Sequence, residues 1–379
     1  MQLSHSNAHK RRLRVLIAPD KFKGTLSALA AARAIASGWK RARPKDILEL
    51  FPISDGGDGF GQLYGKLVDA ESKVTSTVDA AHRRCRSRWY WEPGTSTAII
   101  DSSAAIGLAM LPPKKFHPFE LDTFGLGKLL QAAAKVGAEH LILGIGGSAT
   151  NDGGFGLARS LGWQFLDARQ KEIRRWTDLK RLHSIRPPKA RLSFKRITVA
   201  VDVQNRLLGA RGASRVYGPQ KGLRPEDFRP AEAALRRLAS VVRKQLGHDI
   251  ASHKGTGAAG GLGFGLAAFL GARLVPGFEL FARLSRLHIR VANSDLILTG
   301  EGALDRSTMM GKGVGELGRL CQKLQVPCHA LAGQVEPTLA TKRIFESTTS
   351  PTKFTSKTQA IQRPHYWLSF AARELAGRI

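Results

Sequence analysis

The chain has 379 residues, long enough for two domains, and 42% of them are hydrophobic, as in an ordinary globular protein. Its 59 Lys and Arg residues outnumber its 30 Asp and Glu residues, which gives a formal net charge of +29. The basic residues are dispersed along the chain and match no nucleic-acid-binding motif, so nucleic acid is not the expected partner. No stretch reaches the roughly 18–20 apolar residues of a membrane span.

Three cysteines, at positions 85, 321 and 328, form no CxxC pair. They argue against a disulfide framework and favour the reducing cytoplasm. The basic run 9–14 comes with no apolar h-region, so it is not expected to be a secretory signal peptide.

The first half of the chain predicts alternating strands and helices. A strand is expected at 14–18, a helix at about 27–41 with Ser27 as its N-cap, and a second strand at 47–51. Segment 72–101 alternates Thr, Val, Trp and Tyr residues, which is typical of a β-hairpin or meander.

The same alternation continues to the C-terminus. Further strands are expected at 141–143, 197–201, 295–299 and 328–332. Helices are expected at about 124–136, 154–161, 226–246, 264–271, 312–324 and 366–377, with a charged linker at 168–194. Repeated βα units predict an α/β protein with mainly parallel sheets.

The two ends of the chain are expected to share one domain. The strands expected at 14–18, 47–51 and 295–299 are each followed by a predicted helix, whereas segment 72–101 resembles a hairpin. The prediction is a discontinuous α/β domain of residues 1–75 and 290–379, with residues 76–289 inserted as a second α/β domain.

Five apolar runs stop at carboxylates, usually beside glycine. These carboxylates are Asp20, Asp55 with Asp58, Asp101, Asp202 and Glu301. Ligands of open parallel sheets bind outside the carboxyl ends of the strands. The pattern therefore predicts a metal-assisted reaction on an anionic substrate.

The glycine-rich segment 144–154 joins a predicted strand to a predicted helix, an arrangement that presents backbone N–H groups to phosphate. Its candidate phosphate-binding residues are Gly146, Gly147 and Ser148. The spacing also fits GxGxxA with Asp167 downstream, which raises a dinucleotide site, and a structural tight turn is a further alternative. Asp152 would repel phosphate unless a cation bridged them, which favours Mg²⁺–triphosphate over NAD.

Three other segments carry candidate chemistry. Asp55 and Asp58 suit Mg²⁺, unless they belong to a solvated turn. Lys312 begins a predicted helix and could pair with phosphate, although its surroundings are not a Walker A motif. Asp202, at a strand end, is a candidate base for a hydroxyl nucleophile, or else an N-cap.

Taken together, the motifs resemble the bacterial glycerate kinase family. The motifs occur over residues 14–335 in the same order as in the family. Seven motifs in the same order make the resemblance specific. The matching segments are 17–27, 55–59, 144–156, 202–205, 218–222, 258–263 and 299–312. The chain departs from the family pattern at Lys21, at Arg206 and at Ala303-Leu304, and its tail after Glu336 matches poorly.

The resemblance implies ATP-dependent phosphorylation of D-glycerate with Mg²⁺, giving 2-phosphoglycerate. It also implies two α/β domains, a Rossmann-like first domain with a second domain inserted, and an active site in the interdomain cleft. Rival interpretations are an NAD-linked oxidoreductase of a small hydroxy acid, from the GxGxxA match, and a basic nucleic-acid-binding protein, from the net charge.

Phosphoryl transfer needs positioning and charge neutralisation, so the resemblance suggests residue roles. The expected catalytic residues are Asp202 as base, Lys23, Asp20 and Glu301. The expected ATP-phosphate ligands are Gly146, Gly147, Ser148, Lys221 and Lys312. The expected metal ligands are Asp55, Asp58 and Asp152, and the expected glycerate ligands are Lys23 and Asn205.

Overall fold

A computed structural model describes residues 11–22, 24–57, 59–247, 249–306, 308, 313–336 and 343–379. The chain divides into two compact units. The first is discontinuous and comprises Met1–Ser54 and Ala282–Ile379, and the second is Asp55–Phe281. The sequence pattern predicts the joins near residues 75 and 290, and that division into domains stays a prediction.

The elements are numbered here in chain order. The strands are β1 (Arg14–Ile17), β2 (Ile47–Leu50), β3 (Glu71–Val78), β4 (Arg84–Glu92), β5 (Thr97–Asp101), β6 (His140–Gly144), β7 (Gln164–Leu166), β8 (Ser184–Arg186), β9 (Arg196–Val201), β10 (Arg273–Pro276), β11 (Leu296–Leu304), β12 (Cys328–Val335) and β13 (Ser347–Thr349). The helices are α1 (Ala28–Ala42), α2 (Phe60–Leu67), α3 (Ser103–Ile106), α4 (Leu126–Lys135), α5 (Phe155–Ser160), α6 (Ala213–Tyr217), α7 (Phe228–Leu246), α8 (Ala258–Leu270), α9 (Gly277–Leu284), α10 (Leu287–Ala292), α11 (Gly313–Lys323), α12 (Lys357–Gln362) and α13 (Pro364–Arg378).

The described strands of the first unit form one parallel sheet in the order β13-β12-β11-β1-β2. Val15 pairs with Leu296 of β11 on one side and with Leu48 of β2 on the other. The chain leaves β1 towards β2 and leaves β11 towards β12, so the order reverses between β1 and β11. A reversal of this kind opens a crevice at the carboxyl ends of the two strands.

Helices α1 and α13 of this unit are in close contact. Ser27 caps α1, as the sequence predicts, and its hydroxyl accepts a hydrogen bond from the N–H of Ala30 at 3.2 Å. A Cβ added at Gly38 of α1 would lie 1.9 Å from the carbonyl oxygen of Ser369 in α13. The chain end is therefore part of the core, because α13 reaches Arg378 and buries Leu368, Ala371, Ala372 and Leu375.

The second unit is built on a mixed sheet in the order β10-β9-β6-β5-β4-β3. Strands β5, β6, β9 and β10 are parallel, and β4 runs antiparallel to both β3 and β5. The predicted hairpin or meander at 72–101 is thereby confirmed. The α/β class with mainly parallel sheets is confirmed as well.

Two parts of the second unit differ from expectation. The segment expected as a charged linker, 168–194, contains β8, which pairs with β7, and buries Trp176 and Leu179. Although this segment is rich in charged residues, its few apolar side chains pack against the core of the second unit. Strand β10 was not expected, since Arg and Pro flank its two apolar residues. No helix of the described residues is long and apolar enough to cross a membrane.

The contact between α1 and α13 gives a stability prediction. Gly38→Ala is expected to lower the free energy of unfolding by about 1–3 kcal/mol, the usual cost of overpacking, although alanine favours a helix. The matched control is Gly377→Ala in α13, where an added Cβ meets nothing within 4 Å. Urea unfolding of both variants would test this, and equal stabilities would contradict the tight contact.

Candidate active site

Three backbone segments meet at the carboxyl ends of the strands in the second unit, and glycines allow the contact. A Cβ at Gly277, directly after β10, would lie 1.9 Å from the carbonyl oxygen of Asp55. A Cβ at Gly146 would lie 2.5 Å from the Cα of Gly57, and one at Gly56 would lie 3.0 Å from the Cβ of Ala200 in β9. We call Gly56, Gly57, Gly146 and Gly277 the glycine junction.

Two carboxylates hold the segment that enters this junction. Asp55 is partly exposed, and its Oδ1 accepts a hydrogen bond from the N–H of Gly57 at 3.1 Å. Asp101, the last residue of β5, accepts the N–H of Gly61 in the first turn of α2 at 2.8 Å. A carboxylate at this end of a helix is stabilised by the helix dipole. The other predicted acid, Asp58, lies outside the described residues.

Asp101 adjoins this candidate site, although its sequence pattern assigns it no individual role. Its position at the end of an apolar run was visible. Its contact with Gly61 was not, because the two residues are forty positions apart. Only the folded sheet brings the carboxyl end of β5 to the start of α2.

The loop after β6 keeps backbone donors available. Gly147 is exposed and has a φ of +73°, in the left-handed region that favours glycine. Its carbonyl accepts the N–H of Leu108 at 2.8 Å. Among the described residues, no acceptor takes the N–H of Gly147 or of Ser148. Two donors at the carboxyl end of a parallel strand suit an oxyanion.

The side chain of Ser148 stabilises this loop from within. It is 5% exposed, and its Oγ lies 3.0 Å from the Thr150 Oγ1 and accepts the Thr150 N–H at 3.1 Å. The backbone of Ser148, rather than its hydroxyl, is thus the group that could meet a phosphate.

Asp152 occupies a different environment from the one predicted for a metal ligand. It is fully buried, and its oxygens accept hydrogen bonds from the N–H and Oγ1 of Thr123, at 3.0 and 2.7 Å. They also accept the N–H groups of Gly154 and Gly156, at 3.2 and 2.9 Å. Burial, helped by the charge of Asp122, raises the pKa of Asp152 to about 6 despite these bonds. The carboxylate stabilises the loop and has no open face for Mg²⁺.

Lys221 is also internal. Its ammonium group donates to the carbonyl oxygen of Thr150 at 2.7 Å, and the residue is only 6% exposed. Burial lowers the pKa of Lys221 to about 7, although the charges of Asp152 and Asp202 oppose that shift. The structure therefore gives Lys221 a bond to the loop backbone, and its role as an ATP ligand stays a prediction.

A turn of left-handed backbone supports the same loop. Ala259, Gly260 and Gly261 have φ values of 53°, 67° and 89°. A Cβ at Gly260 would lie 1.9 Å from the Thr150 carbonyl oxygen. Left-handed conformations cost a residue with a Cβ about 1–2 kcal/mol, so Ala259 is held there by its surroundings.

Asp202 remains accessible where β9 ends, as a base requires. Near it, the Tyr217 hydroxyl donates to the Oδ1 of Asn205 at 2.5 Å, and the Nδ2 of Asn205 donates to the Arg211 carbonyl at 2.7 Å. Burial, and then the charge of Asp202, raise the pKa of Tyr217. Both polar ends of Asn205 are thus engaged, so this residue positions Tyr217. Its predicted contact with glycerate has no support in this geometry.

The first unit has its own pair of acids at the crevice between β1 and β11. Asp20 and Glu301 are each 9% exposed. The Asp20 N–H donates to the Gly300 carbonyl at 2.8 Å, which extends the pairing of the two strands and puts the acids on neighbouring positions. Glu301 accepts the hydroxyl of Thr308, a fully buried residue, at 2.7 Å. The predicted Lys23 and Lys312 lie outside the described residues.

No group of three or more His, Cys, Asp and Glu side chains within the described ranges is arranged to hold a metal ion. Mg²⁺ often binds proteins through one or two carboxylates together with substrate phosphates. A partly exposed carboxylate such as Asp55 is compatible with that mode, whereas the saturated Asp152 is not.

The raised pKa of Asp152 predicts a pH dependence. Its folded pKa of about 6 exceeds the ordinary 3.8, so the folded state holds the proton more tightly than the unfolded chain. Protonation thus stabilises the fold below pH 4, and that contribution is lost as the pH rises to about 6. Relative to Asp152→Asn, the wild type should lose up to about 3 kcal/mol of unfolding free energy over this range. Denaturant unfolding of both proteins at pH 4, 5, 6 and 7 would measure it, and a constant difference would refute it.

Comparison with known proteins identifies the family. The model of the glycerate kinase family matches residues 15–379. A glycerate kinase of Halalkalibacterium halodurans is 38% identical over 324 residues, which cover 85% of this chain and 85% of that protein. The glycerate 2-kinase of Escherichia coli K12 is 34% identical over 326 residues, 85% of this chain and 86% of that protein.

The fold agrees with a solved structure. A crystal structure assigned as glycerate kinase 2 of Salmonella typhimurium LT2 superimposes with a TM-score of 0.80 at 32% identity, covering 97% of this chain and 98% of that one. The family match includes the tail after Glu336, where the sequence motifs end. The chain therefore belongs to the glycerate kinase family.

Proposed function

We propose that this protein transfers the γ-phosphoryl group of ATP to the 2-hydroxyl group of D-glycerate, giving 2-phosphoglycerate and ADP. Family membership supports a kinase acting on glycerate. The 2-position is supported by the name of the Escherichia coli relative. The structural observation that carries the proposal is the exposed Asp202, in the same unit as a glycine loop with two N–H groups that have no acceptor among the described residues.

The phosphate contacts are proposed for the loop after β6. The N–H groups of Gly147 and Ser148 have no acceptor within the described part of the chain, and Gly146 gives the loop room against Gly57. Backbone donors fixed before substrate arrives stabilise charge that develops in the transition state. Lys221 and Lys312 stay proposed phosphate ligands. Lys221 would first have to exchange its bond to Thr150.

Asp55 is the proposed magnesium ligand, together with Asp58. Its carboxylate is partly exposed, and only its Oδ1 is committed to the Gly57 N–H in the hydrogen bonds described. Mg²⁺ bound there would neutralise phosphate charge during transfer. Asp152 is not proposed as a magnesium ligand, because its oxygens already accept four hydrogen bonds.

Asp202 is the proposed general base. The glycerate hydroxyl oxygen would form a bond to the γ-phosphorus while the bond to the β–γ bridging oxygen breaks, and the hydroxyl proton would pass to the Asp202 carboxylate. Tyr217, held by Asn205, would limit the motion of this region. Asp20 and Glu301 remain proposed catalytic residues of the first unit, and Lys23 remains the proposed partner of the glycerate carboxylate.

The family favours this kinase over an NAD-linked oxidoreductase or a nucleic-acid-binding protein. The proposed setting is the cytoplasm, which suits three free cysteines, two of them buried. The proposed partners are the small molecules ATP and D-glycerate.

The test of this function is a coupled assay of ADP release over a panel of small hydroxy acids, with and without Mg²⁺. Phosphorus NMR of the product separates phosphorylation of the 2-hydroxyl from that of the 3-hydroxyl. D-glycerate should be the best acceptor and 2-phosphoglycerate the product. A better acceptor, or 3-phosphoglycerate, would overturn the assignment.

The base assignment yields a further prediction. Asp202→Asn should lower kcat at least about 100-fold, the low end for losing a general base, because the amide cannot accept the proton. Melting temperature should change little, since the side chain is exposed. The matched control is Asp249→Asn, at an acid whose side chain is 67% exposed and which has no proposed role. Near-normal kcat in Asp202→Asn would remove it from the base role and leave Glu301 as the candidate.

A further inference from the structure

The first unit contains a cavity of about 370 Å³ at the carboxyl ends of β11 and β12. Gly302 and Gly333 lie in its wall, and their backbones are so close that a Cβ at Gly333 would lie 2.6 Å from the Gly302 carbonyl oxygen. This is the end of a parallel sheet at which ligands bind, one strand away from the reversal of strand order. Its size is within the range of small-molecule sites.

Most of the cavity wall is apolar. Phe22 and Leu26 contribute from the loop after β1, and Ile361 and Leu368 contribute from α12 and α13. Two reciprocal backbone hydrogen bonds between Phe22 and Leu26, at 2.9 and 3.0 Å, hold their side of the wall. Ile361 is 53% exposed, and a bound apolar ring would cover part of that surface.

One polar side chain in the wall can identify a ligand. The carboxamide of Gln334 carries both a donor and an acceptor, and no group among the described residues bonds to it. A glutamine carboxamide can form two hydrogen bonds at once with the N6 and N7 edge of adenine. Lys357 is the one charged residue among the described lining, so the cavity suits a neutral ring better than a polyphosphate.

The cavity also adjoins the acids of this unit in sequence. Phe22 follows Asp20 and Lys21, and Gly302 follows Glu301 directly. A ligand whose ring fills the cavity would thus be bound by the loop after β1 and by strand β11, the two segments that carry the proposed catalytic acids.

We propose that this cavity binds the adenine ring of the nucleotide, with Leu26 and Ile361 against its faces and Gln334 on its N6 and N7 edge. This inference rests on the proposed function, because ATP is the nucleotide such a kinase uses. It assigns the choice of adenine over guanine to Gln334, since guanine presents an acceptor, O6, where adenine presents the N6 donor.

The test uses two substitutions. One fills the cavity, and the other removes the carboxamide at its polar edge. Ala360 of α12 lines the cavity, whereas Thr358 on the same helix is exposed and does not. Ala360→Phe should raise the Kd for ADP, measured by calorimetry, and the KM for ATP by about tenfold or more, with a smaller effect on the KM for glycerate. The matched control, Thr358→Phe, should bind ADP like the wild type.

Gln334→Leu is the second variant. Because Gln334 is exposed, this substitution should not impair folding. It should reduce the preference for ATP over GTP, as a ratio of kcat/KM, by roughly tenfold, as expected for a lost two-bond contact to adenine. If folded Ala360→Phe bound ADP normally, the inference would be wrong. If Ala360→Phe failed to fold, an unchanged ATP to GTP ratio in Gln334→Leu would overturn it equally.

Failure of the proposed function would give different results from failure of the cavity proposal. A wild type that did not phosphorylate glycerate, but whose binding of ADP weakened in Ala360→Phe, would support the cavity and reject the substrate. A wild type that phosphorylated glycerate, with both variants unaffected in nucleotide binding and choice, would reject the cavity alone.

Discussion

The candidate site of the second unit depends on direct backbone-to-backbone contact. At Gly277, Gly146 and Gly260 an added Cβ would lie 1.9 to 2.5 Å from backbone atoms of a neighbouring segment. No rotamer change relieves such an overlap, because the neighbouring atoms are main chain. The loops that carry Asp55 and Ser148 can therefore take their positions only because the residues that meet there have no side chain.

Much of the architecture was readable from the sequence. Apolar runs located β1, β2, β6, β9 and β11 within a few residues, the Thr and aromatic alternation located the meander, and Ser27 identified the start of α1. These features are local, since each depends on side chains a few positions apart. The family resemblance was also readable, because its motifs recur in order.

Individual roles were harder to read, because they depend on contacts between distant residues. Asp152 and Asp202 both follow a predicted strand, Asp202 directly and Asp152 after a glycine-rich loop. Folding leaves Asp202 exposed, whereas it surrounds Asp152 with donors from Thr123, Gly154 and Gly156. A carboxylate that is saturated with hydrogen bonds in a dry interior stabilises a loop, and an accessible one is available for chemistry. Sequence spacing cannot distinguish the two cases, nor could it show that Asn205 is occupied by Tyr217 and Arg211.

The packing of Gly38 against Ser369 has a consequence for the order in which this protein acquires its structure. Residues 14–50 are synthesised before the second unit, yet β1 pairs with β11 and α1 packs on α13, both of which follow the second unit in sequence. The continuous stretch Asp55–Phe281 has its own sheet and core, so it can fold during synthesis. The first unit can be completed only after β11 and α13 have been made. Until then β1 has only β2 among its strand partners, and α1 lacks its contact with α13.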